Sequence, residues 1–202
     1  MGIKMEKTRD SKGRTLEEFL KYYRTRNYAK PSLTADMAVI RKNDNDNAFQ
    51  ILLIRRGGHP FIGQLALPGG FADSDESMET TARRELMEET HVDADLLKSY
   101  PVQLIGVYSK PGRDPRGWVV SVAYMIQLDF FEQKAAAGDD AAEAKWFSVT
   151  LEPQSVGFSC DSASFSIKYH RSGSALEADE CPDLAFDHNQ IIIDALHKAQ
   201  II

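Results

Sequence analysis

Residues 65–92 read LALPGGFADSDESMETTARRELMEETHV, and the architecture of the whole chain hangs on that stretch. The apolar run Leu65-Ala66-Leu67 meets the breaker Pro68-Gly69-Gly70, an acidic loop follows, and a helical pattern begins near Ser77. The order is strand, tight loop, helix. Met78, Ala82 and Leu86 recur every four residues and define the buried stripe of an amphipathic helix reaching Thr90. Glu85, Glu88 and Glu89 lie off that stripe. Residues three and four apart are neighbours on a helix, with Cβ atoms about 5–6 Å apart, so three carboxylates converge on one small volume.

Like charges this close repel each other unless a cation stands among them, and hard oxygen donors suit Mg²⁺ or Mn²⁺ better than zinc. The alternative is a solvated helix face on which Arg84 pairs with Glu88 at i,i+4. What separates the readings is the upstream register: Gly70, Glu76, Arg84, Glu85, Glu88 and Glu89 follow Gly-x5-Glu-x7-Arg-Glu-Leu-x-Glu-Glu-x-x-Val. Average residue usages put chance matches to that pattern at about 10⁻⁶ per chain of this length. It reads as a device for holding a divalent metal beside a diphosphate.

The register resembles the signature box of the Nudix hydrolase superfamily at every position but one, where His91 replaces the usual glycine near the helix end. A non-glycine in a left-handed cap costs on the order of 1–2 kcal/mol, though His tolerates that conformation better than most residues. The resemblance covers about residues 31–149 plus the final helix. It implies an α/β fold, an α/β/α sandwich around a mixed β-sheet.

Around the box, strands are expected over 33–41 and 49–56, joined as a hairpin by Asn43-Asp44-Asn45-Asp46-Asn47, and over 102–109, 118–129 and 144–149. A helix over 15–24 places Leu16, Phe19, Leu20 and Tyr23 on one side, to pack on the core, and 186–199 carries a second helical pattern. The chain divides as 1–31, tail and short helix; 32–149, core with the box at 70–92; 150–186, insertion; 187–200, C-terminal helix. Within the insertion a hairpin is expected over 164–178, turning at Arg171-Ser172-Gly173-Ser174.

The chain has 202 residues and a net charge of −6. That length suits one well-cored domain, and the acidity argues against non-specific nucleic-acid binding. The basic opening, Lys4 to Arg14, is expected to be a disordered tail. No apolar run approaches the roughly 20 residues needed to cross a bilayer, and no signal peptide is legible, so no membrane partner and a soluble, cytoplasmic protein are expected. Cys160 and Cys181 lack metal-ligand spacing and read as two free thiols.

Specificity lies outside the box. Pro111-Gly112-Arg113-Asp114-Pro115-Arg116-Gly117-Trp118 is a shaped turn whose two arginines and indole suit phosphate and a planar ring. With Lys30-Pro31-Ser32-Leu33-Thr34, Arg55-Arg56-Gly57 and Leu184-Ala185-Phe186-Asp187-His188, it is similar to the Nudix branch of ADP-ribose pyrophosphatases and regulators of NAD metabolism. The resemblance implies metal-dependent hydrolysis of a small nucleotide diphosphate, with ADP-ribose giving AMP and ribose 5-phosphate. It assigns Glu85, Glu88 and Glu89 to Mg²⁺ or Mn²⁺, with Glu76, Arg84, Glu88 and Glu89 as the catalytic group.

Gly70, Arg55, Arg56, Arg113, Arg116 and Trp118 are the substrate-contact candidates, each arginine being equally readable as a surface charge. Phe61 is a further ring candidate, with core packing its alternative. The base for the attacking water stays open among Glu88, Glu89, Asp114, Asp139, Asp140 and Glu143. Two rivals stand beside this reading: a nucleotide-sensing regulatory module, and hydrolysis of nucleoside triphosphates, dinucleoside polyphosphates or nucleotide sugars. A DNA-linked sensor is expected to need roughly 60 residues beyond the last helix, and the chain stops at Ile202. A homodimer is compatible by resemblance only.

Overall fold

The computed structural model describes residues 8–24, 27–42, 48–93, 97–128 and 141–202. The chain forms two compact units, Met1–Pro31 and Ser32–Ile202. The first holds α1 (Leu16–Arg24), none of whose residues is buried; Leu16, Leu20 and Tyr23 are exposed and Phe19 is half-buried. Within it Asp10 accepts from the backbone N–H groups of Lys12 and Arg14 and from the Arg14 guanidinium. These bonds close a turn over Asp10–Arg14 in the opening read as a tail, of which residues 1–7 lie outside the described residues.

The second unit is built on a mixed sheet. β1 (Ser32–Lys42) and β2 (Phe49–Arg56) pair antiparallel as the expected hairpin, whose connection 43–47 lies outside the described residues. The two-residue β3 (Leu65–Ala66) adds to β2, and β4 (Gly69–Phe71) adds to β1. β5 (Gln103–Tyr108) pairs antiparallel with β6 (Val119–Leu128), which runs parallel to β1 over its whole length. β7 (Ala141–Glu152), β8 (Ser155–Cys160), β9 (Ala163–Ser172) and β10 (Ala175–Ala178) then extend the order to β10-β9-β8-β7-β2-β1-β6-β5.

β1 explains the layering. Met37 and Val39 pack with Ala82 and Leu86 of α2 (Met78–Thr90) on one face. Ala38 and Ile40 pack with Ile191, Ile192 and Leu196 of α3 (His188–Lys198) on the other. A strand covered on both faces loses the apolar–polar alternation, which is why the run from Thr34 to Ile40 is continuously buried. The result is the expected α/β/α sandwich. Among the described residues no helix is long and apolar enough to cross a membrane, and Cys160 and Cys181 are free thiols.

The segment read as an insertion is more regular than its composition suggests. The hairpin forms as β9 and β10, while β8 had no expectation attached. Ser155-Val156-Gly157-Phe158-Ser159-Cys160 is short and interrupted by glycine, yet Val156 and Phe158 are buried between β7 and β9.

Candidate active site

The site begins where β4 meets β1, with Ala35 opposite Gly70 and Asp36 opposite Gly69. Both glycines are required by close approach. A Cβ on Gly69 would collide with the Ala35 carbonyl oxygen, and one on Gly70 with the Glu85 carboxyl group. The box glycine therefore clears the space that a box glutamate occupies.

Helix α2 is fixed at both ends. The Ser77 side chain accepts the Thr80 N–H at 3.1 Å. At the far end His91 takes the left-handed conformation, φ 53° and ψ 25°, and its N–H bonds the Met87 carbonyl. The histidine that departs from the box thus adopts the backbone shape the glycine would give.

Arg84 organises the acids on the exposed side. Its guanidinium reaches Glu76 at 2.9 Å, Glu85 at 2.7 Å, Glu88 at 2.9 Å and the Phe71 carbonyl at 3.1 Å. The bond from Arg84 holds Glu76 below the usual carboxylate range, although partial desolvation opposes it. Glu85 is raised, because burial outweighs the stabilising Arg84 contact. The i,i+4 pair of the solvated-face reading does form, as one arm of a network that also takes in Glu76 and Glu85.

Glu89 differs. Expected off the buried stripe, it is only 7 % exposed, because the β4 turn covers it and the Gly69 N–H donates to its Oε2 at 2.8 Å. Burial foremost pushes its carboxyl up to about 8; the Gly69 N–H opposes the shift and the Glu85 charge adds to it.

These residues fit a divalent ion in kind. The donors are hard oxygens, Gly70 opens space beside Glu85, and the Glu89 carboxylate accepts a neutral backbone N–H with the Arg56 charge acting on it from a distance. No group of three or more His, Cys, Asp or Glu is drawn into a cage among those residues. Arg84 is the cation that holds Glu85 and Glu88, and an entering ion would compete with it.

Beside the Gly69–Gly70 turn is a cleft lined by Asp36, Arg56, Gly69, Gly70, Asp114, Arg116 and Phe186. The Arg116 guanidinium stands 4.6 Å from the Phe71 ring centroid and 5.4 Å from that of Phe186, and Arg56 stands 5.1 Å from Phe186. Two of the expected arginines therefore converge on one aromatic ring. Arg113 also lines the cleft, but its side chain is 4 % exposed and its fork holds both Asp187 oxygens at 2.8 and 2.6 Å. Arg55 is turned to Glu143 and the Gly63 carbonyl, and Trp118 is 57 % exposed; neither lines this cleft.

Among the candidate bases, burial raises Asp114, but the Arg116 guanidinium and N–H more than reverse that, leaving it lowered. Glu143 is lowered by its bond from Lys145, with Arg55 assisting. Both are weak proton acceptors. Asp139 and Asp140 lie outside the described residues.

Three residues of the cleft carry no individual sequence signal. His188, 3 % exposed, accepts the Leu67 N–H through Nδ1 at 2.9 Å. Its neutral ring therefore carries its proton on Nε2, 3.7 Å from Asp36 Oδ1. Asp36 is buried and accepts from the Ser121 hydroxyl. Burial holds the His188 pKa down, against the pull of Asp36. Phe186 is the third, and its stretch was singled out only as part of a resemblance.

A glycine turn that packs against helix-borne glutamates, inside a sheet covered on both faces, defines the Nudix class of diphosphate hydrolases. The NUDIX domain family model matches residues 32–156, and the chain belongs to that family as a Nudix pyrophosphohydrolase. It is 37 % identical over 175 residues to an ADP-ribose pyrophosphatase of Methanocaldococcus jannaschii, covering 87 % of this chain and 78 % of the relative. It is 32 % identical over 186 residues to an ADPR responsive transcriptional repressor of Acinetobacter baylyi, covering 90 % of this chain and 60 % of that protein. A MutT/nudix family protein from Enterococcus faecalis superposes with a TM-score of 0.75 at 36 % identity, covering 93 % of this chain and 70 % of its own.

Proposed function

We propose that the protein hydrolyses the diphosphate bond of ADP-ribose to give AMP and ribose 5-phosphate. The observation that carries this reading is the pair of guanidiniums, Arg56 and Arg116, set against Phe186 beside the Gly69–Gly70 turn and lining one cleft with it. Guanidiniums of that kind suit the non-bridging oxygens of a diphosphate, although the Arg116 fork is held by Asp114, with which a ligand would share it, while Glu89 and Glu85 lie against the turn itself. The similarity to an ADP-ribose pyrophosphatase supports the same substrate.

Glu85, Glu88 and Glu89 would hold Mg²⁺ or Mn²⁺. Such an ion supplies charge neutralisation for the diphosphate and a more acidic water. The Gly69 N–H fixes the Glu89 carboxylate, and Arg84 orients Glu85 and Glu88 while itself anchored by Glu76. Arg113 acts on the cleft through Asp187, as a strut between the β5–β6 loop and α3.

The test is product analysis with Mg²⁺, with Mn²⁺ and with chelator. Metal-dependent release of AMP and ribose 5-phosphate from ADP-ribose, ahead of nucleoside triphosphates, dinucleoside polyphosphates and nucleotide sugars, is the expected result. Faster turnover of another diphosphate would reassign the substrate. Tight ADP-ribose binding without turnover would favour the sensor reading, to which the similarity with an ADPR responsive repressor gives its weight.

A further inference from the structure

Over Leu67-Pro68-Gly69, where β3 passes into β4, the chain has two backbone donors, and both turn to side chains. Pro68 has no N–H, and its carbonyl accepts the Met37 N–H at 2.9 Å. The Leu67 N–H goes to His188 Nδ1 at 2.9 Å, and the Gly69 N–H goes to Glu89 Oε2 at 2.8 Å. Glu89 belongs to α2 and His188 opens α3, the helices that cover opposite faces of the sheet. The two helical layers therefore grip one bend at donors two residues apart. The ladder offers it little else, since β3 has two residues and β4 three.

His188 is itself fixed on several sides. Leu65 donates to the Asp183 carbonyl and accepts from the Ala185 N–H, each at 2.8 Å, so the chain entering α3 runs beside β3. Phe186 then turns in a left-handed conformation, φ 55°, which a bulky residue keeps only where its surroundings impose it. The Arg113 fork holds Asp187, the residue before His188. The imidazole lies 5.5 Å from the Phe186 ring, which Phe61 meets edge-on at 4.8 Å. Its Nε2 faces Asp36, which also accepts from Ser121. Burial keeps the ring neutral, and only a neutral ring can accept at Nδ1.

Resting on the assignment of Glu89 to the divalent ion, we infer that His188 is a positioning residue for the metal site: by accepting the Leu67 N–H it holds the bend where the Gly69 N–H can fix the Glu89 carboxylate. A buried carboxylate is placed as well as the donor that holds it, and groups that orient metal ligands matter roughly 10–100-fold in metal affinity. A histidine that only satisfied a buried N–H would matter to stability and leave metal affinity alone.

Two amide replacements separate the halves of the imidazole. Asparagine puts an oxygen where Nδ1 stands and drops the side facing Asp36, whereas glutamine reaches towards Asp36 and drops the acceptor for Leu67. Mn²⁺ binding to the substrate-free protein, followed by electron paramagnetic resonance, should weaken about tenfold or more in His188→Gln and stay within about threefold of the parent in His188→Asn. In chelator, exchange of the Gly69 amide proton should quicken about tenfold in His188→Gln while the amides of β6 keep their rates. Equal Mn²⁺ affinity in the two variants, or Gly69 exchange at the parent rate in His188→Gln, overturns the assignment. Should His188→Gln not fold, His188→Leu, of similar bulk and without an acceptor, replaces it with the same expected and opposing results. Parent-like Mn²⁺ binding by Glu89→Gln would overturn the metal reading itself, and Gly69 exchange in chelator then still decides whether His188 holds the bend.

Discussion

The two sides of the Gly69–Gly70 turn, the acidic group on α2 and the wall of the cleft, are built on opposite plans. The acidic wall is local: Glu76, Arg84, Glu85, Glu88 and Glu89 fall within one loop and one helix, and helical spacing alone brings most of them together. The basic and aromatic wall is assembled from β2, the β5–β6 loop and the approach to α3, through contacts such as Arg113 to Asp187, 74 residues apart. The first wall needs one helix to form and the second needs the whole sandwich. Substitutions in the acidic wall should therefore strike turnover, and those in the other wall should divide between folding and substrate affinity.

The largest effect is expected from Glu89→Gln, which keeps the shape and the Gly69 contact but removes the charge. Turnover should fall by about 10² or more while the unfolding midpoint holds or rises. Activity near that of the parent would break the metal role. Arg113→Ala should lose about 2–4 kcal/mol of stability in denaturant titration, because it strands Asp187 beside the buried helix end. A stable Arg113→Ala protein with only a higher KM would return this residue to direct substrate contact.

Acid–base linkage separates the walls in the metal-free protein. The Glu89 carboxyl is raised from 4.5 to about 8, so its protonated form favours folding; that contribution is complete below about pH 4.5 and is lost as pH rises through about 8. His188, lowered from 6.5, acts in the other direction, contributing above pH 6.5 and withdrawing as pH falls below it. Measured in chelator, the stability of the parent should decline relative to Glu89→Gln between those limits, by a few kcal/mol at most. Parallel curves would show that Glu89 does not carry the shift.

Smaller effects sharpen the contrast among arginines. Arg116→Ala removes the partner of the buried Asp114 and should cost stability as well as raise KM about tenfold, and an equal loss for every diphosphate tested would contradict its contact with a particular substrate. Arg55→Ala breaks a half-exposed pair with Glu143 outside the cleft, and should change stability by less than about 1 kcal/mol and leave KM unmoved. A marked KM effect there would bring Arg55 back into the site.

Legibility followed the range of the interactions. Strand β2 was readable to the residue because its apolar run is bounded by polar residues, and α2 because Ala82 and Leu86 repeat at helical spacing. β8 was not, since Ser, Gly and Cys carry little strand propensity and its pairing depends on β7 and β9. The burial of Glu89 escaped because helix periodicity describes the helix's own face and not the β4 turn that folds over it. His188 escaped because its partners, Leu67 and Asp36, belong to elements far away in the chain.

The sequence by itself determined the catalytic family, the α/β class and the order of the acidic residues, because box spacing and hydrophobic periodicity act within one or two elements. The tertiary structure decided which carboxylate is desolvated, which aspartate each of Arg113 and Arg116 holds, and where Phe61 and Phe186 meet. Those outcomes depend on burial and on long-range pairing. No local pattern encodes them until the sheet is covered on both faces.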